Sequence, residues 1–167
     1  MKIIGHRGAR GYFPENTLKG FKETVAMGVD GVELDVICSK DEQLLVSHNP
    51  FPDTRFSSFL RGRNYFQLDY SDIINVDVGS KRNPDYPEQV TFRSSIPTLE
   101  EVLRTISDLV ESEFELFIEI KHANNRYYPQ AGRYAQLLHD LLNRIEFTGV
   151  IIVKSFSAEL MNAFEKI

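Results

Sequence analysis

Short apolar runs alternate along this chain with stretches of helical apolar spacing, and that alternation is the strongest constraint on its fold. It specifies an α/β protein in which βα units build a mostly parallel sheet. Lys2 to His6 reads as a first strand, followed by the glycine-rich turn Arg7-Gly8-Ala9-Arg10-Gly11. Asn16 stands where a helix N-cap belongs, ahead of Leu18, Phe21, Val25 and Ala26 at helical spacing, and Gly28 supplies the stop. Gly31 to Cys38 and Leu44 to Ser47 read as the second and third strands. Only Ser39 to Gln43 separate them, too few residues for a crossover helix, which takes at least about 10 to 12 with its loops. A hairpin-like return is therefore expected, and a turn centred between Asp41 and Glu42 sets Asp35 opposite His48.

The segment from Phe51 to Ile96 breaks this rhythm. It has no sustained period and holds eight of the chain's aromatic residues, which number 12 Phe and 7 Tyr, so it reads as a small inserted subdomain or long loop (51–96) within one domain spanning 1–167. The rhythm then resumes. Thr98 and Glu101 form a capping box for a helix whose buried stripe is Leu99, Val102, Leu103, Ile106 and Leu109 or Val110. Phe114 to Lys121 is the fourth strand, Gly149 to Ser155 the fifth, with a helix from about Gly132 to Ile145 between them and another after Ser157.

Composition limits the function classes. With 42% apolar and 26% charged residues the chain can build an ordinary core, and its net charge of −5 argues against a nucleic-acid or anionic-membrane binder, which needs a basic face. The lone cysteine, Cys38, forms no internal disulfide. No segment approaches the ~18 apolar residues of a membrane span, and Ile3-Ile4 is far shorter than the apolar centre of a signal peptide. A cytoplasmic protein is the expectation.

The informative residues are those that do not belong in a covered strand. Strands of a parallel sheet normally read as continuous apolar runs. Yet in Val32-Glu33-Leu34-Asp35-Val36 the period of two puts Glu33 and Asp35 on one face, and in Phe117-Ile118-Glu119-Ile120-Lys121 it puts Glu119 and Lys121 together. Each taken singly reads equally well as water-facing or as half of an ordinary ion pair. Taken together they point to a cation, because buried carboxylates occur only when paired or bound. Glu33, Asp35 and Glu119 offer hard oxygen donors that suit Mg2+ or Ca2+, with no Cys or His at zinc-ligand spacing. His6 and His48 close the first and third strands and are candidates for proton transfer, whereas His122 and His139 read as structural. Arg7, Lys121 and Arg10 could meet a phosphate. No Walker loop and no Gly-x-Ser-x-Gly elbow is present, and Cys38 reads as a small packing residue.

His6-Arg7-Gly8, Pro14-Glu15-Asn16-Thr17, Glu33-Leu34-Asp35-Val36, the histidine at 48, Pro97-Thr98-Leu99-Glu100-Glu101 and Ile118-Glu119-Ile120-Lys121 occur in that order across nearly the whole chain. In this combination the sequence strongly resembles the glycerophosphodiester phosphodiesterase family. Val150 to Phe156 is also similar to that family's fifth strand. The resemblance implies a TIM (β/α)8-type barrel of the phospholipase-C-like phosphodiesterase kind, with a small insertion after the third strand. It implies a small-molecule glycerophosphodiester substrate hydrolysed to an alcohol and glycerol 3-phosphate. Glu33, Asp35 and Glu119 are then the ligands of one divalent cation, His6 and His48 the acid–base pair, and Arg7 and Lys121 the phosphate ligands. The family usually has Asp after the second histidine, where this chain has Asn49. A whole barrel takes about 250 residues, so the 167 residues correspond to about five of eight βα units. The expectation is a truncated form, a homo-oligomer in which a second copy covers the gap, or an unstable fold.

Overall fold

The computed structural model describes residues 1–52 and 62–167. Four strands run parallel in the order β1 (Ile4–His6), β2 (Gly31–Cys38), β4 (Glu115–Ile120) and β5 (Val150–Lys154), and β3 (Leu44–Val46) extends the sheet by pairing antiparallel with the end of β2. Helices α1 (Leu18–Ala26), α3 (Leu99–Ser107), α4 (Ala131–Arg144) and α5 (Ala158–Phe164) follow strands or loops in turn, and a 3-10 turn (Tyr65–Gln67) and a short helix, α2 (Tyr70–Ile73), lie in the 62–96 segment. This is the wall of an incomplete (β/α)8-type barrel. Among the described residues β1 and β5 each pair on one side only.

Period two in the strands decides which face is covered. Val32, Leu34, Val36, Leu116, Ile118 and Ile120 are at most 1% exposed and pack against Phe21, Leu103, Ile106, Tyr134 and Leu138 from the helices. Each such burial contributes about 1.5–3 kcal/mol relative to exposure. Tyr134 is wholly buried, and its hydroxyl donates to Val36 O at 3.0 Å, so its polar end is satisfied within the core. The opposite face of the same strands carries Glu33, Asp35 and Glu119.

The hairpin turns differently from the expected register. Val36 pairs with Val46 and Cys38 with Leu44, and Ser47 N–H donates to Asp35 O at 2.9 Å. Asp35 therefore lies opposite Ser47, and His48 is one residue beyond. The cause is the loop: Ser39 and Gln43 close it, leaving three residues between, and Glu42 adopts φ +62. A three-residue hairpin loop characteristically ends on a left-handed residue, and its odd length shifts every pair by one. The hairpin then serves two cores. Val36 and Val46 face the helices, whereas Ile37 and Leu45 join Tyr65, Leu68, Ile73, Val76 and Ile96 in a second small cluster. Part of the expected 51–96 insertion, including Phe56 and Phe59, lies outside the described residues.

Helix α1 also starts differently. Thr17, not Asn16, is the N-cap, its Oγ1 accepting from Gly20 N–H at 3.1 Å. Asn16 sits at φ +56, which Asn tolerates better than most residues, and is turned toward β2. The capping box of α3 is as expected: Thr98 Oγ1 accepts from Glu101 N–H at 3.2 Å and Glu101 Oε2 accepts from Thr98 N–H at 2.8 Å. Thr98→Ala is expected to cost about 1 kcal/mol, read as a lowered urea midpoint with unchanged slope. Burial pushes the Cys38 thiol up to about 12. The native chain should therefore resist a disulfide-exchange reagent at pH 8 and react fully only in denaturant.

Candidate active site

The site is assembled at the carboxyl ends of the parallel strands, where a barrel of this kind places its chemistry. In register, His6 pairs with Glu33, and Asp35 pairs with Glu119, which pairs with Lys154. All five side chains project from the face away from the helices. Glu33, Asp35 and Glu119 each bring one carboxylate oxygen within 4.8 Å of the others, and the three residues are 7%, 1% and 5% exposed. Three buried carboxylates this close would repel one another strongly in a low-dielectric site, so the cluster stands only because cations share it.

Those cations come from three loops and strand ends. Arg7 Nε lies 3.2 Å from Asp35 Oδ2, and Lys121 Nζ lies 2.9 Å from Asp35 Oδ1 while also pairing with Glu119. Lys154 Nζ bridges Glu33 Oε1 at 3.1 Å and Glu119 Oε2 at 3.2 Å. Asn16 Nδ2 donates to Asp35 Oδ2 at 3.0 Å, which is what its left-handed backbone achieves. Arg7 and Ala9 share that conformation, at φ 52 and 51, so the turn after β1 is strained on both sides of Gly8. The strain aims the Arg7 backbone N–H at Glu33 Oε2, 3.3 Å away.

Electrostatics follow from these contacts. Burial pushes the Asp35 carboxyl up, but the Asn16 and Lys121 hydrogen bonds and the charges of Lys121 and Arg7 outweigh it and hold the group below its ordinary value. Glu119 is likewise raised by burial and brought down further by Lys121 and Lys154. Burial lowers His6 more than the Glu33 carboxylate, 3.8 Å from its Nε2, raises it. Lys154 is desolvated, yet Glu33 and Glu119 lift it above the usual lysine value.

The residues present fit a hard divalent cation. The donors are all carboxylate oxygens, the kind a hard divalent cation takes, and they converge within 4.8 Å from two adjacent strands. Beside the cluster a cleft of about 230 Å3 is lined by Arg7, Asn16, His48, Phe51, Lys81 and Gln89, among others. Gln89 fixes one wall by donating to Arg10 O at 2.8 Å and Phe13 O at 3.0 Å, which ties the 62–96 segment to the turn after β1. His48 Nδ1 lies 3.0 Å from Asn49 Oδ1. Because that oxygen only accepts, Nδ1 carries the proton and Nε2 is the nitrogen free for chemistry.

Six of the seven residues singled out in the sequence, His6, Arg7, Glu33, Asp35, Glu119 and Lys121, thus meet in one cluster, and His48 shares with Arg7 the adjoining cleft. Two contributors were not legible as such. Asn16 read as a cap, and Lys154 read as the end of the fifth strand; a lysine closing an apolar strand, like Lys121, was the available signal. His122, read as structural, bonds Ser157 Oγ at 2.8 Å and packs on Tyr128 and Tyr134.

The glycerophosphoryl diester phosphodiesterase family matches residues 6–167. A glycerophosphodiester phosphodiesterase of Bacillus subtilis is 33% identical over 165 residues, covering 93% of this chain and 52% of its own. The crystal structure of a glycerophosphodiester phosphodiesterase from Agrobacterium tumefaciens has a TM-score of 0.69 at 25% identity, covering 100% of this chain and 63% of the other. An Oleispira antarctica phosphodiesterase in complex with the product sn-glycerol-3-phosphate shares the fold, with a TM-score of 0.81 at 21% identity over 100% of this chain and 62% of the other. The chain thus spans less than two thirds of the length of each. Among the described residues no helix is long and apolar enough to cross a membrane.

Proposed function

We propose, since the chain belongs to the glycerophosphoryl diester phosphodiesterase family, that it hydrolyses glycerophosphodiesters to an alcohol and glycerol 3-phosphate. The observation that carries the reading is the buried trio Glu33, Asp35 and Glu119, whose oxygens converge within 4.8 Å beside Arg7 and Lys121 at strand ends. In this proposal the trio holds one divalent cation, Mg2+ or Ca2+. When bound, such an ion supplies Lewis-acid stabilisation of charge on the phosphoryl oxygens.

The remaining chemistry belongs to the side chains. Arg7 offers a planar fork, and Lys121 a point charge, to the anionic oxygens of the diester, and both strengthen as charge grows in the transition state. His6, held below the ordinary histidine value by burial, is neutral at pH 7 and suits the acceptance of a proton from the attacking hydroxyl. His48, in its doubly protonated form, then gives the Nε2 proton to the departing alkoxide while Asn49 Oδ1 accepts from Nδ1–H. Asn49 orients the ring without the charge that a carboxylate would add.

The direct test is release of glycerol 3-phosphate from a panel of glycerophosphodiesters with Mg2+ or Ca2+, and again after chelation. Turnover that survives chelation would overturn the metal-dependent reading. A second reading is a chain that binds glycerophosphate-type ligands without turning them over. Titration with sn-glycerol 3-phosphate beside the turnover assay separates the two.

A further inference from the structure

We infer that Lys154 competes with a divalent cation for Glu33 and Glu119, and that arrival of the cation frees its ammonium to serve as a further phosphate ligand. The inference rests on the proposal that the carboxylate trio holds such a cation, and it concerns a residue which that proposal does not use. Lys154 Nζ sits 3.1 Å from Glu33 Oε1 and 3.2 Å from Glu119 Oε2, bridging two of the three expected ligands. An ammonium bridging these carboxylates and a divalent ion bound to the same two groups compete for their charge and repel each other.

Exposure decides which cation leaves. The Arg7 and Lys121 side chains are 13% and 18% exposed, whereas that of Lys154 is 44% exposed, over carboxylates whose side chains are only 9% and 7% exposed. Lys154 therefore reaches in from the mouth of the site on a flexible four-carbon stem and has solvent to move into. Its place as the register neighbour of Glu119 keeps it within reach after it lets go.

Charge accounting gives the movement a direction. Three carboxylates face Arg7, Lys121 and Lys154, so the cluster is neutral by itself. A divalent ion adds two positive charges, an excess that a phosphodiester and its more negative transition state would absorb. Lys154, repelled by the ion and attracted by the phosphate, then changes partners without leaving the site.

The test is calorimetric titration of the 167-residue chain, its K154M variant and its K154R variant, first with MgCl2 or CaCl2 and then, in cation-saturated protein, with inorganic phosphate. Even at the dielectric of bulk water one unit charge at 4 Å shifts an equilibrium about fivefold, so two closer contacts predict about tenfold tighter cation binding in K154M. Phosphate should bind cation-loaded K154M about tenfold more weakly, with K154R close to wild type in both titrations. A merely structural lysine would not move the two affinities in opposite directions. Should K154M melt without cation, the increase of its melting temperature on adding cation must exceed that of the wild type. Equal or weaker cation binding by K154M, with the wild type binding normally, overturns the inference alone, as does unchanged phosphate affinity. A wild type that binds no divalent cation overturns the ligand assignment itself.

Discussion

Replacing Glu119 with alanine is expected to lower metal-dependent release of glycerol 3-phosphate by at least about 100-fold, because removing a group that only supports metal ligands already costs 10–100-fold. Glu119 stands at the centre of the cluster, a register neighbour of both Asp35 and Lys154 and an ion-pair partner of Lys121 and Lys154. Its loss removes one donor of the trio and also leaves two ammonium groups to crowd onto Asp35 and Glu33. Those two partners remain, at 2.9 Å for Lys121 and 3.1 Å for Lys154, so the fold should survive and a melting curve can verify it. Glu119→Gln keeps the shape without the charge and should be nearly as inactive, since an amide oxygen is a weaker donor to a hard cation than a carboxylate. Folded variants with wild-type turnover would remove this carboxylate from the mechanism.

That such a residue could be named from the sequence has a specific physical reason. In β2 and β4 the period of two sorts charged from apolar residues so sharply that the sheet's two faces can be read separately: Val32, Leu34 and Ile118 are fully buried against helices, and Glu33, Asp35 and Glu119 turn the other way. The same reasoning located the α3 capping box, which depends only on residues three apart. Where the information is not local, it failed. The register between β2 and β3 turns on one left-handed residue, Glu42, and nothing in Lys40-Asp41-Glu42 announces that an acidic residue will adopt φ +62. Asn16 has the composition of a cap, and only the approach of β2 shows its amide bonded to Asp35 instead. Lys154 is one charge at a strand end, a position where charges usually meet water. Its meaning comes from the neighbour 35 positions away that the parallel register sets beside it. The cleft was equally unreadable, since it joins Arg7 and His48 to Lys81 and Gln89 from a segment with no period of its own.

Removal of the His6 imidazole should have an effect of similar size, with a signature in pH that the Glu119 variants lack. General acid–base catalysis by a placed side chain is worth about 10²–10⁴-fold, so His6→Ala is expected to lose at least about 100-fold in kcat/KM. Burial holds His6 below the ordinary value of 6.5 against the opposing pull of Glu33. A proton acceptor must be neutral to act. The acid limb of the wild-type profile should therefore fall below pH 6.5, with activity rising as His6 loses its proton. Glu33→Gln removes the opposing carboxylate and should move the limb to still lower pH in whatever activity remains, because desolvation is then less opposed. In His6→Ala the limb should vanish, leaving the residual rate insensitive to pH there. Small amines or imidazole added to this variant should restore part of the rate, since His6 is 57% exposed at the mouth of the site and its place is open to a diffusible base. An acid limb that persists unchanged in His6→Ala would assign it to another group and leave His6 as a hydrogen-bonded end of β1.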